Sequence, residues 1–297
     1  MNVAEPQSPA QRWLYRGYVI AFFVYLAAPL AAAAIFAFND SLFPTLPWRG
    51  FTFDWFFNDT EPKLAMFHDR RLMQGLWNSV YIGLIVSALS VAAGTCNAFL
   101  FERGDFPGKQ ALYVLMVVPL VIPGVILGIS ILVFASMIVN GIEAALGFDW
   151  GFMRPGIFLI VLGQFSFLTT ITSLVIAARL RKFDVSLEEA AFNLGAGRLR
   201  VLLTITLPFL GPAMIGAFLV AFLVSFENFN TTLILVGSDA PLTITMYDRV
   251  VKVGSTPVLN AGSVFLMVGS AFLALMSILV QRERPAPAVD AALDDGR

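Results

Sequence analysis

Charge is scarce in this chain. Of 297 residues, 13% are Asp, Glu, Lys or Arg, where a soluble domain carries about a quarter. That deficit excludes an ordinary soluble enzyme and a nucleic-acid binder. Cysteine is almost missing: Cys96 stands alone, so no internal disulfide can form, and a small buried thiol is expected there. Histidine is equally rare. His68 falls in a polar loop with no Cys or second His nearby, and a metal centre is not expected. A nucleotide-binding P-loop is also lacking. The string Gly104-Asp-Phe-Pro-Gly108-Lys109-Gln110 has three residues between its glycines where four are needed, and Gln110 replaces the Ser or Thr.

What the chain has instead is apolar length, with 58% of its residues hydrophobic. Six stretches, 18–38, 77–100, 111–139, 157–178, 209–235 and 261–280, make up about half of it. Glu227 is the only charged residue inside them. Each stretch reaches the roughly 20 residues that carry a helix across a ~30 Å hydrocarbon core. The fold class predicted is an all-α integral membrane protein with six transmembrane helices. Arg12 and Arg16 ahead of the first stretch resemble the opening of a secretory signal. The stretch is longer than such a signal's apolar core, however, and an uncleaved first helix is expected.

Basic residues set the orientation. With a cytoplasmic N-terminus, the inside segments hold twelve Lys and Arg and the outside segments seven, the excess that the positive-inside rule requires. Arg179, Arg181 and Lys182, directly after the fourth stretch, give the sharpest local signal. The expected organisation is therefore a cytoplasmic tail over 1–17, a membrane domain over 18–280 and a cytoplasmic tail over 281–297. The loop 39–76 carries Trp48, Phe51, Phe53, Trp55 and Phe56, an aromatic cluster that suits a membrane interface belt.

Three spans carry polar or helix-breaking features. Pro119, Pro123 and Gly124 fall in the third; proline lacks an amide hydrogen and clashes with the preceding turn, so a kink or break is predicted there. Backbone released at membrane depth must face protein or a wet cavity, which assigns this span to the interior. Gln164 in the fourth span needs partners for its amide, as structural glue or as pore lining. In the fifth, an acid costs about 2.5–3.5 kcal/mol at mid-bilayer, so such residues usually face an interior and mark a pathway. At about 100° per residue, Glu227, Asn228 and Thr231 share one arc. They suit a cationic or polyhydroxylated solute, or else a structural pair with a neighbouring helix.

The segment 183–208 between spans four and five is the most informative. Ser186 and Glu189 have capping-box spacing, predicting a short helix from Leu187. Leu187, Ala190, Ala191 and Leu194 fall on one face, and Gly195 supplies a helix stop. A second short helix is expected over 198–206, up to Pro208. An amphipathic hairpin of this kind outside the bilayer reads as a docking element for a cytoplasmic partner.

Glu189-Ala190-Ala191, three residues, Gly195, nine residues and Ile205-Thr-Leu-Pro208 resemble the EAA signature of ABC importer permeases. The resemblance extends over roughly residues 70–280 and includes the order of six spans. It implies the type I importer fold and assigns Glu189, Ala190, Ala191, Leu194 and Gly195 to the contact with an ATPase. It also implies a second permease chain in a heterodimer, two ABC ATPase subunits that carry ATP and Mg, and a periplasmic or lipid-anchored solute-binding protein. No cofactor, metal or catalytic residue is expected in this chain. The expected location is the bacterial inner membrane, in contact with lipid. Pro119 to Gly128, Ser225-Phe-Glu-Asn-Phe229 and Pro241-Leu-Thr-Ile-Thr-Met-Tyr247 with Arg249 are similar to the spermidine/putrescine branch. That branch often has paired acids where Glu227-Asn228 stand, and a His in place of Gln164. Gln164, Glu227, Asn228 and Thr231 are the expected solute pathway, and the resemblance implies a polyamine as the solute. The two departures leave open an opine, an amino-acid derivative or another small organic solute, and an ATP-independent carrier is the remaining alternative.

Overall fold

The computed structural model describes residues 8–60, 63, 65–147 and 151–281. The outer parts of both expected tails, 1–7 and 282–297, lie outside the described residues. Everything regular among the described residues is helical, apart from one isolated bridge between Asn39 and Phe51.

Helix α1 covers Pro9–Ala37. It starts well before the apolar run because Ser8 and Gln11 form a reciprocal capping box: Gln11 N–H donates to Ser8 Oγ, and Ser8 N–H donates to Gln11 Oε1. Proline at N1 costs the helix nothing there. A single turn, α2 (Asp54–Phe57), precedes α3 (Arg70–Arg103).

The third apolar stretch is two helices, α4 (Lys109–Val121) and α5 (Gly124–Leu146). Ile122 and Pro123 between them are extended, with ψ near 130°, so the predicted break is complete. At 13 residues α4 is about 20 Å long, too short to cross a bilayer alone. Both helices run antiparallel to α6 (Ile157–Leu180). Thr170 Oγ1 donates to Met116 O, Ile131 lies against Gly163, and Ala135 shares a core with Leu159.

Next come α7 (Ser186–Asn193) and α8 (Arg198–Val201). A five-residue π turn, Leu202–Thr206, leads from α8 into α9 (Leu207–Phe226). The second short helix predicted over 198–206 is therefore the opening of the fifth span. The π turn lies just ahead of Pro208, whose missing N–H and ring would disrupt an ordinary α ladder. The fifth stretch stops at Phe226 and resumes as α10 (Asn230–Leu235). An amphipathic helix, α11 (Leu242–Val253), and α12 (Pro257–Gln281) are the last helices among the described residues. Among the described residues six helical segments are long and apolar enough to cross a membrane: α1, α3, α5, α6, the run from α8 through α9, and α12.

The chain divides into two compact units, 1–78 with 240–270 and 79–239 with 271–297. In the first, Ala37, Trp55, Phe56, Met66, Leu72 and Leu242 form a core with the start of α12. Trp55 Nε1 donates to Asn39 O at 2.9 Å, and Lys63 bonds both Asp40 and Asp54. Those carboxylates raise the pKa of Lys63, Asp40 first, and Lys63 in turn holds Asp54 below the usual carboxylate range. The aromatic cluster splits: Trp55 and Phe56 are core, while Trp48, Phe51 and Phe53 stay exposed. Arg249 of α11 pairs with Asp69.

In the second unit α3 and α6 approach to backbone contact at Gly94, where a Cβ would lie 2.9 Å from Ser173 N. Small residues allow this and hydroxyls bond across it. Thr172 Oγ1 donates to Ser90 O at 2.6 Å, and Asn97 Nδ2 to Ser173 Oγ at 3.2 Å. Cys96 lies on the outer side of α3 and is exposed, which corrects the expectation of a buried thiol. The α3–α6 seam takes its buried positions from Val91, Gly94, Thr95 and Ala98, leaving Cys96 on the other side. The glycine loop 104–108 is a plain turn, with Lys109 Nζ donating to Gly104 O at 2.8 Å.

Candidate functional site

The candidate residues fall in two places, both within the second unit. The first is where two helix breaks meet. Gly124, just after the α4/α5 break, lies so close to α10 that a Cβ would sit 2.9 Å from Thr231 Oγ1 and 3.1 Å from Asn230 Cβ. Residues 227–229, between α9 and α10, form the other break. No Pro or Gly marks it. Asn228 does: its Oδ1 accepts from Thr232 N–H at 3.2 Å and from Thr232 Oγ1 at 3.0 Å, satisfying the first turn of α10 as a capping side chain would.

Gln164 is 1% exposed and spends its amide on this junction. Its Nε2 donates to Thr232 Oγ1 at 2.9 Å, and its Oε1 accepts from Ser225 Oγ. The last turn of α9 and the first of α10 are thus stitched to α6 through one side chain. Thr231 is buried too, and its Oγ1 has no hydrogen-bond partner. The single arc expected for Glu227, Asn228 and Thr231 does not form, because the helix carrying it ends at Phe226. Glu227 caps α9 and is exposed, Asn228 turns into the junction, and Thr231 packs under Gly124. Chemically, the place offers hydroxyls, amides and one acid beside two interrupted helices, a combination suited to holding a polar solute.

The second place is α7. The Ser186–Glu189 capping box is not made. The helix starts at Ser186, whose N–H donates to Asp184 Oδ1 at 3.0 Å; a carboxylate two residues upstream takes the amide that Glu189 would have reached back to. Bonds from the Ser186 side chain and then its backbone lower the pKa of Asp184. The C-terminus is a Schellman turn: Ala196 N–H reaches Ala191 O, Gly195 N–H reaches Phe192 O, and Gly195 is left-handed at φ +84°. The apolar face predicted from Leu187, Ala190, Ala191 and Leu194 exists, and it points away from the protein. Leu194 is 89% exposed and Leu187 51%; Glu189, Ala190 and Gly195 are exposed, and Ala191 is half-buried.

Glu188 was not anticipated. It is the buried residue of α7, at 8% exposure. One carboxylate oxygen accepts from Arg103 Nη1 and the other from Thr206 Oγ1. Burial pushes its pKa up, but the bonds from Arg103 and Thr206 outweigh this and hold it below the usual range. The adjacent acids Glu188 and Glu189 were the available signal, because neighbours on a helix point about 100° apart and one of two must face the body.

No family model matches the chain. Among solved structures, the bacterial alginate ABC transporter in complex with an alginate-pentasaccharide-bound periplasmic protein has a chain that aligns with a TM-score of 0.69 at 16% identity. The alignment covers 92% of this chain and 95% of that one. The fold is that of the transmembrane domain of an ABC importer, a multi-pass membrane protein. Curated relatives narrow this. The putrescine transport system permease PotI of Escherichia coli (strain K12) is 31% identical over 240 residues, 80% of each chain. PotC, the spermidine/putrescine transport system permease of the same strain, is 27% identical over 92% of this chain and 96% of its own. ModB, its molybdenum transport system permease, is 34% identical over 69% and 91%. The chain belongs to the spermidine/putrescine-type family of ABC transporter permeases.

Proposed function

We propose that this chain is one of two membrane subunits of a binding-protein-dependent importer, moving a polyamine or related small organic cation inward by ATP-driven alternating access. ATP and Mg are held by two separate ATPase subunits; this chain makes and breaks no bonds. A second, non-identical permease pairs with it, and a periplasmic or lipid-anchored binding protein delivers the solute. It lies in the bacterial inner membrane with both termini cytoplasmic.

The observation that carries this reading is α7. An eight-residue helix is too short to be stable by itself, and the exposed Leu187, Ala190 and Leu194 are gathered on one face of it rather than scattered. A helix with its apolar face turned outward and its ends fixed by Asp184 and Gly195 fits a cleft on a partner. Glu189, Ala190, Ala191, Leu194 and Gly195 are the proposed ATPase contacts. At the twin break, Glu227 favours a cation over an oxyanion such as molybdate, because a like charge in the path opposes binding. Gln164, Asn228 and Thr231 shape the junction beside it. An opine or amino-acid derivative bearing an ammonium group would satisfy the same acid.

Glu189→Lys tests the docking role. In vesicles holding the whole complex, uptake driven by ATP should fall to background while the chain still inserts and folds. Uptake at the parental rate would overturn the assignment of α7.

A further inference from the structure

We propose that Glu188, with Arg103 and Thr206, is the strut through which movement of α7 reaches the membrane helices. The inference rests on the reading of α7 as the ATPase contact and adds the means by which a push on that contact is transmitted.

The outward face of α7 is open to a partner, so its attachment to the rest of the protein must lie elsewhere. The buried side chain of α7 is Glu188, with Ala191 half-buried beside it. Its two oxygens go to two different elements. Oε2 takes Arg103 at the end of α3, and Oε1 takes Thr206, the last residue of the π turn that opens α9. Charge-assisted bonds are directional, whereas apolar surfaces slide, so displacement of α7 along either bond pulls on α3 or α9.

Arg103 is held in place for this role. Its guanidinium lies 5.7 Å from the Phe99 ring centre and 5.4 Å from that of Phe183. The preceding residue, Glu102, binds Arg181 at the end of α6 through two bonds of 2.8 and 2.7 Å. Consecutive residues of α3, one acid and one base, therefore bracket the link between α6 and α7. Shifting α3 by one residue would oppose Glu102 to Glu188 in one direction or Arg103 to Arg181 in the other, so the alternation of sign fixes one arrangement. Thr206 adds a soft point, since a π turn carries one more residue per turn than its neighbours and can be tightened without breaking the helix. Glu188 is a positioning residue in this scheme and touches neither nucleotide nor solute.

The test uses the complete complex in vesicles and needs no knowledge of the solute. In a Cys96→Ala background, Glu227→Cys places a thiol at the α9 break, and its labelling rate with a water-soluble maleimide is measured with and without trapping by ATP and vanadate. The parent should change its rate severalfold on trapping. With Glu188→Gln the ATPase should still co-purify and hydrolyse ATP, while the response to trapping disappears. Combining Arg103→Glu with Glu188→Arg should restore part of it, which a purely structural loss would not allow. A Glu188→Gln complex that responds like the parent, or one that has lost its ATPase, overturns the strut. If the glutamine variant fails to accumulate, Glu188→Met, which fills the site without a charge, carries the same test. The underlying reading fails separately: through a parent that does not respond to trapping, or through Leu194→Asp retaining the ATPase.

Discussion

Gln164 spends both ends of its amide inside the fold, on Thr232 and Ser225, whereas Glu227 caps α9 with its side chain exposed. Their substitutions should therefore fail in different ways. Gln164→Leu strips Ser225 of its acceptor and Thr232 of one donor, for about 1–2 kcal/mol. The purified complex should melt earlier, and transport should fall along with the amount of intact complex. Glu227→Gln removes the charge at nearly constant side-chain size; on the proposed role of this acid, putrescine uptake per complex should fall about tenfold, equivalent to ~1.4 kcal/mol of lost interaction, with the melting temperature held. An early melt that accounts for the whole Glu227→Gln defect would make that acid structural. Residue roles of this kind were only half legible in the sequence. An amide inside an apolar run says that partners exist without naming them, and Gln164 proves tied to residues more than sixty positions away. Glu188 escaped because the family pattern draws attention to Glu189, and only the position of Arg103 at the foot of another helix shows which of the two acids faces inward.

Elements were more legible wherever chemistry marks them. Charge exclusion from hydrocarbon exposes the spans, and Pro123 exposes the break between α4 and α5, because a missing N–H and a ring clash cannot be hidden by packing. The break at 227–229 carries no such residue. It is made by capping, with Asn228 satisfying the start of α10, and asparagine in a polar run has too many other uses to signal it. Capping also misled at α7 and went unnoticed at α1: of two box-like spacings, Ser8/Gln11 closes and Ser186/Glu189 does not, since Asp184 takes the amide first. The close pairing of α3 with α6 is set by Gly94, where an added Cβ would meet Thr172 Oγ1 at 2.4 Å and the Thr172–Ser173 backbone at about 3 Å. Backbone cannot step aside as a side-chain tip can. Gly94→Val should cost roughly 1–3 kcal/mol of stability through overpacking, seen as a lower melting temperature or poor accumulation in membranes. Gly141→Val is the control, for nothing lies within 4 Å of its added carbon and α5 should accept it unchanged. Equal tolerance of both would mean that α3 and α6 do not meet at Gly94.

For the whole molecule, the orientation of the membrane spans decides whether α7 can reach a cytoplasmic motor. Arg12 and Arg16 lie in the first turns of α1, and Arg198 and Arg200 in the opening turn of the run into α9. These four bases stand at ends that the charge excess assigns to the cytoplasm. Arg198 and Arg200 do so against the helix dipole, which disfavours a cation at an N-terminus by about 0.3–1 kcal/mol each. A surface requirement must outweigh that local cost, and an anionic inner leaflet worth about 1 kcal/mol per base supplies one. Because Cys96 is the chain's one thiol, Cys96→Ala gives a blank background for labelling. Asp59→Cys, in the exposed loop after α1, and Gly197→Cys, in the exposed turn between α7 and α8, then report on opposite sides. An impermeant maleimide applied to intact cells should label the first and reach the second only after permeabilisation. The reverse pattern would turn α7 toward the periplasm, out of reach of any ATP-driven subunit, and would leave Glu188, Arg103 and Thr206 as a clasp with nothing to transmit.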